Sequence, residues 1–285
     1  MSERIDSHQH YWRLSRGDYG WLTPALGPIY RDFGPADLAP LLAAFGIART
    51  VLVQAAPTEA ETAFLLDLAD TAASVAGVVG WIEMEAPDAA ERVLGLASNG
   101  KLVGLRPMIH DIADPTWILS PGLVPAFTAM VASGLVFDAL VRPAHLRPLT
   151  ALVERQPDLT VVIDHGAKPD IARWTPSDRD FRDWAEGMRR LGQHPRVVCK
   201  TSGLVTEARR DWQPRDLDPY LDELLEAFGP DRLLFGSDWP VVSLGGGYAR
   251  WVEALVSWID RRLDPVTAAG VLGDNAARVY RLAAR

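Results

Sequence analysis

The sequence predicts one closed (β/α)8 barrel, the TIM-barrel architecture, as a single domain over residues 1–285. Eight short apolar runs rich in β-branched residues recur along the chain, and longer amphipathic stretches separate them. The chain length suits one α/β barrel, and no linker or shift in composition divides it. An open, doubly wound sheet has the same local patterns and is the alternative.

The predicted elements alternate from one end of the chain to the other. The eight strands are predicted at residues 4–6, 51–54, 78–82, 103–109, 136–141, 160–164, 196–200 and 232–236. Helices are predicted at 121–131, 146–154, 181–191 and 216–228, and another begins after Thr58, three residues before Glu61, as in a capping box. In a barrel of this kind, reactive side chains belong at the C-terminal ends of the strands.

Composition excludes several classes of protein. The formal charge of −8 disfavours a nucleic-acid partner, which would require a basic face. No apolar run approaches the roughly 18 residues of a membrane span, and the first residues lack the apolar stretch of a signal peptide. The single cysteine, Cys199, lies in a strand-like run and is expected to be a core thiol. We therefore expect a cytoplasmic protein without nucleic-acid or membrane partners, for which a homo-oligomer is possible.

Reactive side chains follow three of the predicted strands. His8 and His10 are two residues apart, so that both imidazoles face the same side of the first strand. His165 follows the sixth strand, and Asp238 follows the eighth. Each has a structural alternative: an ordinary surface or core histidine, or an aspartate that caps a turn. Four such groups at one predicted face favour a common site, and two neutral imidazoles suit a divalent cation such as zinc.

Six segments carry a resemblance to a known family. They are residues 5–12 (IDSHQHYW), 104–106 (GLR), 164–169 (DHGAKP), 201–207 (TSGLVTE), 235–241 (FGSDWPV) and 275–280 (NAARVY). The pattern resembles the amidohydrolase superfamily, and it is most similar to the sugar-lactonase branch, the L-fuconolactonase-like enzymes. The match extends from residue 4 to about residue 282. It implies a barrel of the metallo-dependent hydrolase type that opens a small sugar-acid lactone by attack of an activated water on the ester carbonyl.

The resemblance also implies roles for the matched residues. His8, His10 and Asp238 would be metal ligands, Asp238 would also be the general base, and His165 would polarise the carbonyl or hold the water. Binuclear members carry a bridging carboxylated lysine or a glutamate at the end of strand four, where this sequence has Leu105-Arg106-Pro107. We therefore expect one divalent cation, with zinc as the first candidate, rather than two. Catalysis without a metal is the alternative, because some related lactonases need none.

Further residues near the strand ends are candidates for substrate binding. They are Arg106, Trp12, Lys168, Trp239, Arg142, His110 and Tyr30. Arginine suits a lactone carbonyl or a nascent carboxylate, and tryptophan suits the apolar face of a sugar. The alternatives are a buried ion pair for Arg106 or Arg142 and a solvated loop position for Lys168. His145 competes with His110 as an additional contact.

The segment of residues 11–33 is long for a connection between a strand and a helix, and it is rich in aromatic residues, glycine and proline. We expect it to cover the site and to select the substrate through Tyr19, Trp21, Tyr30 or Arg31.

Two other functions are considered for the same fold. One is decarboxylation or hydrolysis of an anionic dicarboxylate lactone, which would require more arginines at the strand ends. The other is a non-catalytic sugar-binding barrel, which has no use for the four reactive groups together.

Overall fold

The computed structural model describes residues 3–283 and contains eight parallel strands that pair in chain order. The strands are β1 (Arg4–Gln9), β2 (Ile47–Val53), β3 (Val75–Gly80), β4 (Leu102–Leu105), β5 (Val136–Ala139), β6 (Val161–Ile163), β7 (Val197–Lys200) and β8 (Leu233–Leu234). The ring closes between the first and last strands, because the Ser7 amide donates to the Phe235 carbonyl at 3.0 Å and the His10 amide donates to the Trp239 carbonyl at 2.7 Å. The predicted (β/α)8 barrel is confirmed.

Helices connect the strands and surround the sheet. They are α1 (Pro35–Phe45), α2 (Glu59–Thr71), α3 (Ala89–Leu96), α4 (Val124–Ser133), α5 (Leu146–Arg155), α6 (Arg179–Gly192), α7 (Pro214–Phe228), α8 (Tyr248–Arg262), α9 (Pro265–Ala269) and α10 (Asn275–Val279). The predicted cap of α2 is present, since the Glu61 amide donates to the Thr58 hydroxyl at 3.1 Å. None of the helices within residues 3–283 has the length and apolar character needed to cross a bilayer.

The interior of the barrel is filled by side chains that point inward from the strands. The apolar layer contains Ile5, Val51, Val53, Val79, Val103, Val136, Val162, Val198 and Leu234. Residues from the C-terminal part of the chain, including Val279 and Tyr280, pack against this layer. A larger apolar layer lies between the strands and the helices and contains Cys199, as expected for a core thiol. The interior of the barrel is thus fully packed, and the reactive side chains lie at the ends of the strands.

Several predicted boundaries differ from the structure. The fourth strand was predicted to reach residue 109, but β4 ends at Leu105, directly before Arg106 and Pro107. Proline has no amide hydrogen to donate to a neighbouring strand, so the ladder cannot continue there. The helix predicted from residue 121 begins as a single 3₁₀ turn, and α4 proper starts at Val124. These shifts leave the predicted reactive residues at the same end of the barrel.

Candidate active site

His8, in β1, and His10, the residue after β1, lie side by side at the mouth of the barrel. His8 is fully buried and His10 nearly so, and their Nε2 atoms are 3.2 Å apart. The Nδ1 atom of His10 lies 2.8 Å from the Val53 carbonyl oxygen, which can only accept a hydrogen bond. Nδ1 of His10 therefore carries the proton, and the lone pair of Nε2 faces the site.

Asp238 completes the group from the segment after β8. Its Oδ1 atom lies 3.3 Å from His10 Nε2, 3.7 Å from His8 Nε2 and 3.8 Å from His165 Nε2. Burial opposes the charge on this carboxyl, but His165 and, more weakly, Lys168 favour it and hold the pKa of Asp238 below its ordinary value. The residue has a φ of 58° and its amide donates to the His8 carbonyl at 2.8 Å. An ionised carboxylate is thus fixed between three imidazoles.

His165 approaches the same point from the turn after β6. Its backbone has a φ of 56°, and Ala167 and Lys168 also adopt positive φ values. Such conformations cost about 1–3 kcal/mol each and concentrate at functional sites. Nδ1 of His165 lies 2.9 Å from the Ser202 hydroxyl, and burial holds the pKa of the imidazole well below its ordinary value. His165 is therefore neutral, with Nε2 directed at Asp238.

A cavity of about 230 Å³ opens onto this group. It is lined by His10, Trp21, Ala55, Arg106, Met108, His110, Asp111, Leu140, His165, Lys168, Asp238 and Val241. A larger depression of about 790 Å³ lies elsewhere on the molecule, along residues 171–176 and 208–220, and none of the four reactive groups lines it. The smaller cavity is therefore the candidate active site, because it is concave and reactive side chains line it.

Three of the predicted substrate-binding residues line this cavity. Arg106 is paired with Asp164 at 3.2 Å and also donates to the Gln54 carbonyl. It therefore forms the buried ion pair that was its structural alternative, and it lines the cavity as well. Lys168 is paired with Glu207 at 2.7 Å. Burial, with Lys168 and Arg106 nearby, lowers the pKa of His110 to about 3, which leaves its imidazole neutral.

The structure does not place the other four predicted substrate-binding residues in the wall of the cavity. Trp12 is fully buried, donates from Nε1 to the Arg31 carbonyl at 2.7 Å, and packs within the 11–33 segment. Trp239 is also buried, with its ring 5.1 Å from the ring of Phe33. Tyr30 is 39% exposed, and Arg142 is exposed beyond the end of β5.

Local geometry explains the position of Trp12. Trp12 lies three residues beyond Gln9, the last residue of β1, and its amide and carbonyl pair with Phe33, so the chain turns away from the barrel mouth. Trp21, from the same segment, lines the cavity instead and donates to the Ala55 carbonyl at 2.7 Å. His145 hydrogen-bonds to the backbone of Arg142, 3.1 Å from its amide nitrogen, and is absent from the cavity wall.

Sequence reasoning missed a buried ionic cluster below the four reactive groups. It consists of Lys200, Asp138, Asp164 and Tyr280, all almost completely inaccessible to solvent. Lys200 Nζ lies 2.5 Å from Asp138 and 3.0 Å from Asp164, and the Tyr280 hydroxyl donates to Asp138 at 2.9 Å. Charged residues within apolar strands, as in Val-Phe-Asp-Ala and Val-Val-Cys-Lys, were the available signal, because buried charge is costly unless it is paired.

The donor atoms present suit one divalent cation. His8, His10 and Asp238 each offer one ligand atom, and these atoms lie within 4.8 Å of one another. The fixed tautomer of His10 supports this use, because a second-shell carbonyl that holds Nδ1–H is typical of metal-bound histidine. The ligand atoms of a second group, His8, Asp164 and His165, also lie within 4.8 Å of one another. Asp164 is already paired with Lys200 and Arg106, so this group is less suited to a cation.

Comparison with known proteins agrees with the sequence resemblance. A family model described as Amidohydrolase matches residues 5–282. The chain belongs to the amidohydrolase family. An L-fucono-1,5-lactonase of Burkholderia ambifaria is 46% identical to this amidohydrolase over 99% of its length and 97% of the relative's. An L-fucono-1,5-lactonase of Burkholderia multivorans is 38% identical, covering 98% and 96% of the two chains.

A solved structure shares the whole architecture. The crystal structure of an amidohydrolase from Burkholderia multivorans with bound HEPES superposes with a TM-score of 0.93, at 39% identity, over 99% of this chain and 100% of that one. A second crystal form of that amidohydrolase, with bound zinc, gives a TM-score of 0.91. The family and the barrel that the sequence predicts are therefore both confirmed.

Proposed function

We propose that this amidohydrolase hydrolyses a sugar-acid lactone similar to L-fucono-1,5-lactone. The observation that carries the proposal is the convergence of the His8, His10 and His165 imidazoles on Asp238, at a cavity of about 230 Å³ that His10, His165 and Asp238 line. Two relatives that match nearly the whole chain bear the name L-fucono-1,5-lactonase, which supports the lactone as substrate class. A lactonase of this kind is a hydrolase that acts on a cyclic carboxylic ester.

His8, His10 and Asp238 are proposed to hold one divalent cation, and zinc is the first candidate. The convergence of their ligand atoms supports this, as does the zinc in the related Burkholderia multivorans crystal. When bound, such a cation supplies a Lewis acid that polarises the carbonyl and lowers the pKa of a water molecule. A carbohydrate pathway is the proposed setting of the reaction.

Asp238 is proposed to act as the general base. It takes a proton from water while the water oxygen bonds to the lactone carbonyl carbon, forming a tetrahedral intermediate. The bond from that carbon to the ring oxygen then breaks, and the proton returns from Asp238 to the ring oxygen, which becomes a hydroxyl group. The carboxylate is suited to this role because its pKa is held below the ordinary value, so that it is ionised at neutral pH.

His165 is proposed to stabilise the developing oxyanion. If the Ser202 hydroxyl donates to Nδ1, the proton of this neutral imidazole resides on Nε2, where it is a donor for the carbonyl oxygen. Arg106 and Lys168 also line the cavity, but each is paired with a carboxylate, so His165 is the proposed donor. One donor of this type is worth about 3–4 kcal/mol in the transition state.

The charges that line the cavity favour a neutral lactone over a dicarboxylate. Arg106 and Lys168 are each already paired with a carboxylate, and His110 is neutral. Two substrate carboxylates would need unpaired cations as partners, and Asp111 and Asp238 in the wall would repel them. The same argument disfavours a carboxylate substrate for decarboxylation.

A panel of lactones tests this proposal. Opening of a lactone produces an acid, so a pH indicator reports turnover of neutral 1,5- and 1,4-aldonolactones and of anionic lactones. We expect neutral sugar lactones to be turned over fastest. We also expect activity to fall after chelation and to return with zinc, and purified protein to contain about one metal ion. Turnover of anionic lactones alone would contradict the substrate class, and full activity in metal-free protein would contradict the cation.

We also propose that residues 1–285 form a single domain whose segment 11–33 covers the site. Trp21 in the cavity wall and the pairing of Trp12 with Phe33 support a fixed cover. A cytoplasmic location is consistent with a lone buried thiol at Cys199. Light scattering of the purified protein tests whether it forms a homo-oligomer.

A further inference from the structure

The Nδ1 atom of His8 faces two groups of opposite hydrogen-bonding character. Lys200 Nζ lies 3.2 Å from it and can only donate, whereas Asp164 Oδ1 lies 3.3 Å from it and, when ionised, can only accept. All three side chains are inaccessible to solvent. The position of the proton on His8 therefore depends on which of the two it engages.

If Lys200 donates to His8, a continuous chain of hydrogen bonds results. Lys200 Nζ donates to His8 Nδ1, and the proton of His8 then resides on Nε2 and is directed at His10 Nε2, 3.2 Å away. His10 in turn donates from Nδ1 to the Val53 carbonyl. In this arrangement each donor finds an acceptor, but His8 has no lone pair directed towards Asp238 and cannot bind a cation through Nε2.

If His8 donates to Asp164 instead, the lone pairs of both Nε2 atoms face Asp238. Asp164 Oδ1 is suited to receive that bond, because it lies 3.3 Å from His8 Nδ1, and a carboxylate oxygen can accept from His8 while it stays paired with Lys200 Nζ, 3.0 Å away. A carboxylate that accepts from a histidine is also a common second-shell partner of a metal ligand.

We propose that His8 is a tautomer switch: Lys200 holds the tautomer that closes the cation site, and Asp164 holds the tautomer that opens it. Both tautomers of His8 are neutral, so the switch moves a proton from one ring nitrogen to the other and needs no change in net charge. Lys200 and Asp164 are thus positioning residues with opposite effects on the cation. The inference rests on the proposed metal role of His8.

Each partner of His8 keeps another contact when the other partner is replaced. Asp164 keeps Arg106 at 3.2 Å if Lys200 is replaced, and Lys200 keeps Asp138 at 2.5 Å if Asp164 is replaced. Asp138 also provides a matched control. It carries the same charge as Asp164 and contacts the same lysine, at 2.5 Å, and no hydrogen bond or ion pair joins it to His8 in the described chain.

The experiment combines nitrogen-15 NMR of labelled histidine with titration by zinc. In chelator-treated protein we expect the proton of His8 on Nε2, and in zinc-loaded protein on Nδ1, while His10 keeps Nδ1–H in both. Asp164→Asn is expected to weaken zinc binding about 10–100-fold. Lys200→Met is expected to place the proton on Nδ1 even without zinc and to bind zinc at least as tightly. Asp138→Asn is expected to leave the tautomer unchanged.

Several outcomes would overturn the switch. One is a single His8 tautomer in wild-type protein with and without zinc, which can be measured even if a variant fails to fold. A second is weaker zinc binding in Lys200→Met than in the wild type. A third is an equal loss of zinc affinity in Asp138→Asn and Asp164→Asn, which would show that the loss comes from the removed charge or from general damage to the fold. Absence of zinc binding to the wild type would remove the metal role, whereas lactone turnover, assayed separately, reports on the proposed activity.

Discussion

The backbone of Gly203 lies directly against the imidazole of His165. A β-carbon at residue 203 would lie 2.3 Å from His165 Nδ1, and Gly203 has a φ of 67°. Contacts below 3.0 Å force one partner to move. The position of this imidazole therefore depends on a residue of the neighbouring loop that has no side chain.

Gly203→Ala is expected to displace His165 and to lower kcat by at least about tenfold, because misplacement of a catalytic group by about 1 Å is costly. The control is Gly229→Ala, since Gly229 has a similar φ of 66° but open space around its α-carbon. Steady-state kinetics on folded protein, with thermal unfolding of both variants, measure the difference. Equal kcat values in the two variants would show that the contact with His165 does not matter.

Asp238→Asn is expected to lower kcat by at least about a hundredfold, because the amide cannot accept the proton of the attacking water. The change preserves the size of a side chain whose Oδ1 lies 3.3 Å from His10. Lactone turnover measures the loss. The zinc content of the variant separates the two roles of Asp238, because loss of a ligand lowers the zinc content and loss of the base does not. Asp211→Asn, at an exposed position, is the control. Substantial activity in the Asp238 variant would refute its role as base.

Glu61→Gln is expected to change the pH dependence of stability. Burial raises the pKa of Glu61 from 4.5 to about 7, although the amides of Ala56 and Ala55 donate to it. The unfolded chain ionises at the lower pH, so the contribution of protonated Glu61 is complete below pH 4.5 and is lost as pH rises towards 7.

The glutamine variant lacks this titration. Its stability relative to the wild type should increase between pH 4.5 and pH 8, by no more than about 3 kcal/mol. Urea unfolding at several pH values measures this difference, and Glu91→Gln, at an exposed position, is the control. A constant difference across this pH range would contradict the raised pKa.

Trp21→Ala is expected to raise KM for the lactone about tenfold, with a smaller effect on kcat, and to alter the preference among lactones. The indole lines the cavity and is anchored by its bond to Ala55, so that it supplies binding area rather than reacting atoms. Tyr30→Ala is the control, since Tyr30 belongs to the same segment but is 39% exposed. Similar KM values in the two variants would exclude Trp21 from substrate selection.

The residues whose position sequence predicted well are those that lie next to a strand. The backbone direction of a strand fixes where its C-terminal residue projects, and so His8, His165 and Asp238 could be assigned to one mouth of a barrel from their places in the chain. Trp12 and Arg142 were harder, because they follow turns, and a turn directs a side chain according to its dihedral angles and its packing partners. Tertiary packing of the 11–33 segment buried Trp12 and placed Trp21 in the cavity wall.

By itself, the sequence determined the alternation of strands and helices, the family, and the chain positions of the four reactive groups. Only the tertiary structure decided which charges pair inside the barrel, where Lys200, Asp138 and Asp164 come from three different strands or strand ends. The physical reason is that pairing of a buried charge depends on distances of a few ångströms between residues up to 62 positions apart. Local sequence patterns relate residues that are only a few positions apart, so they contain no information on the distances between these side chains.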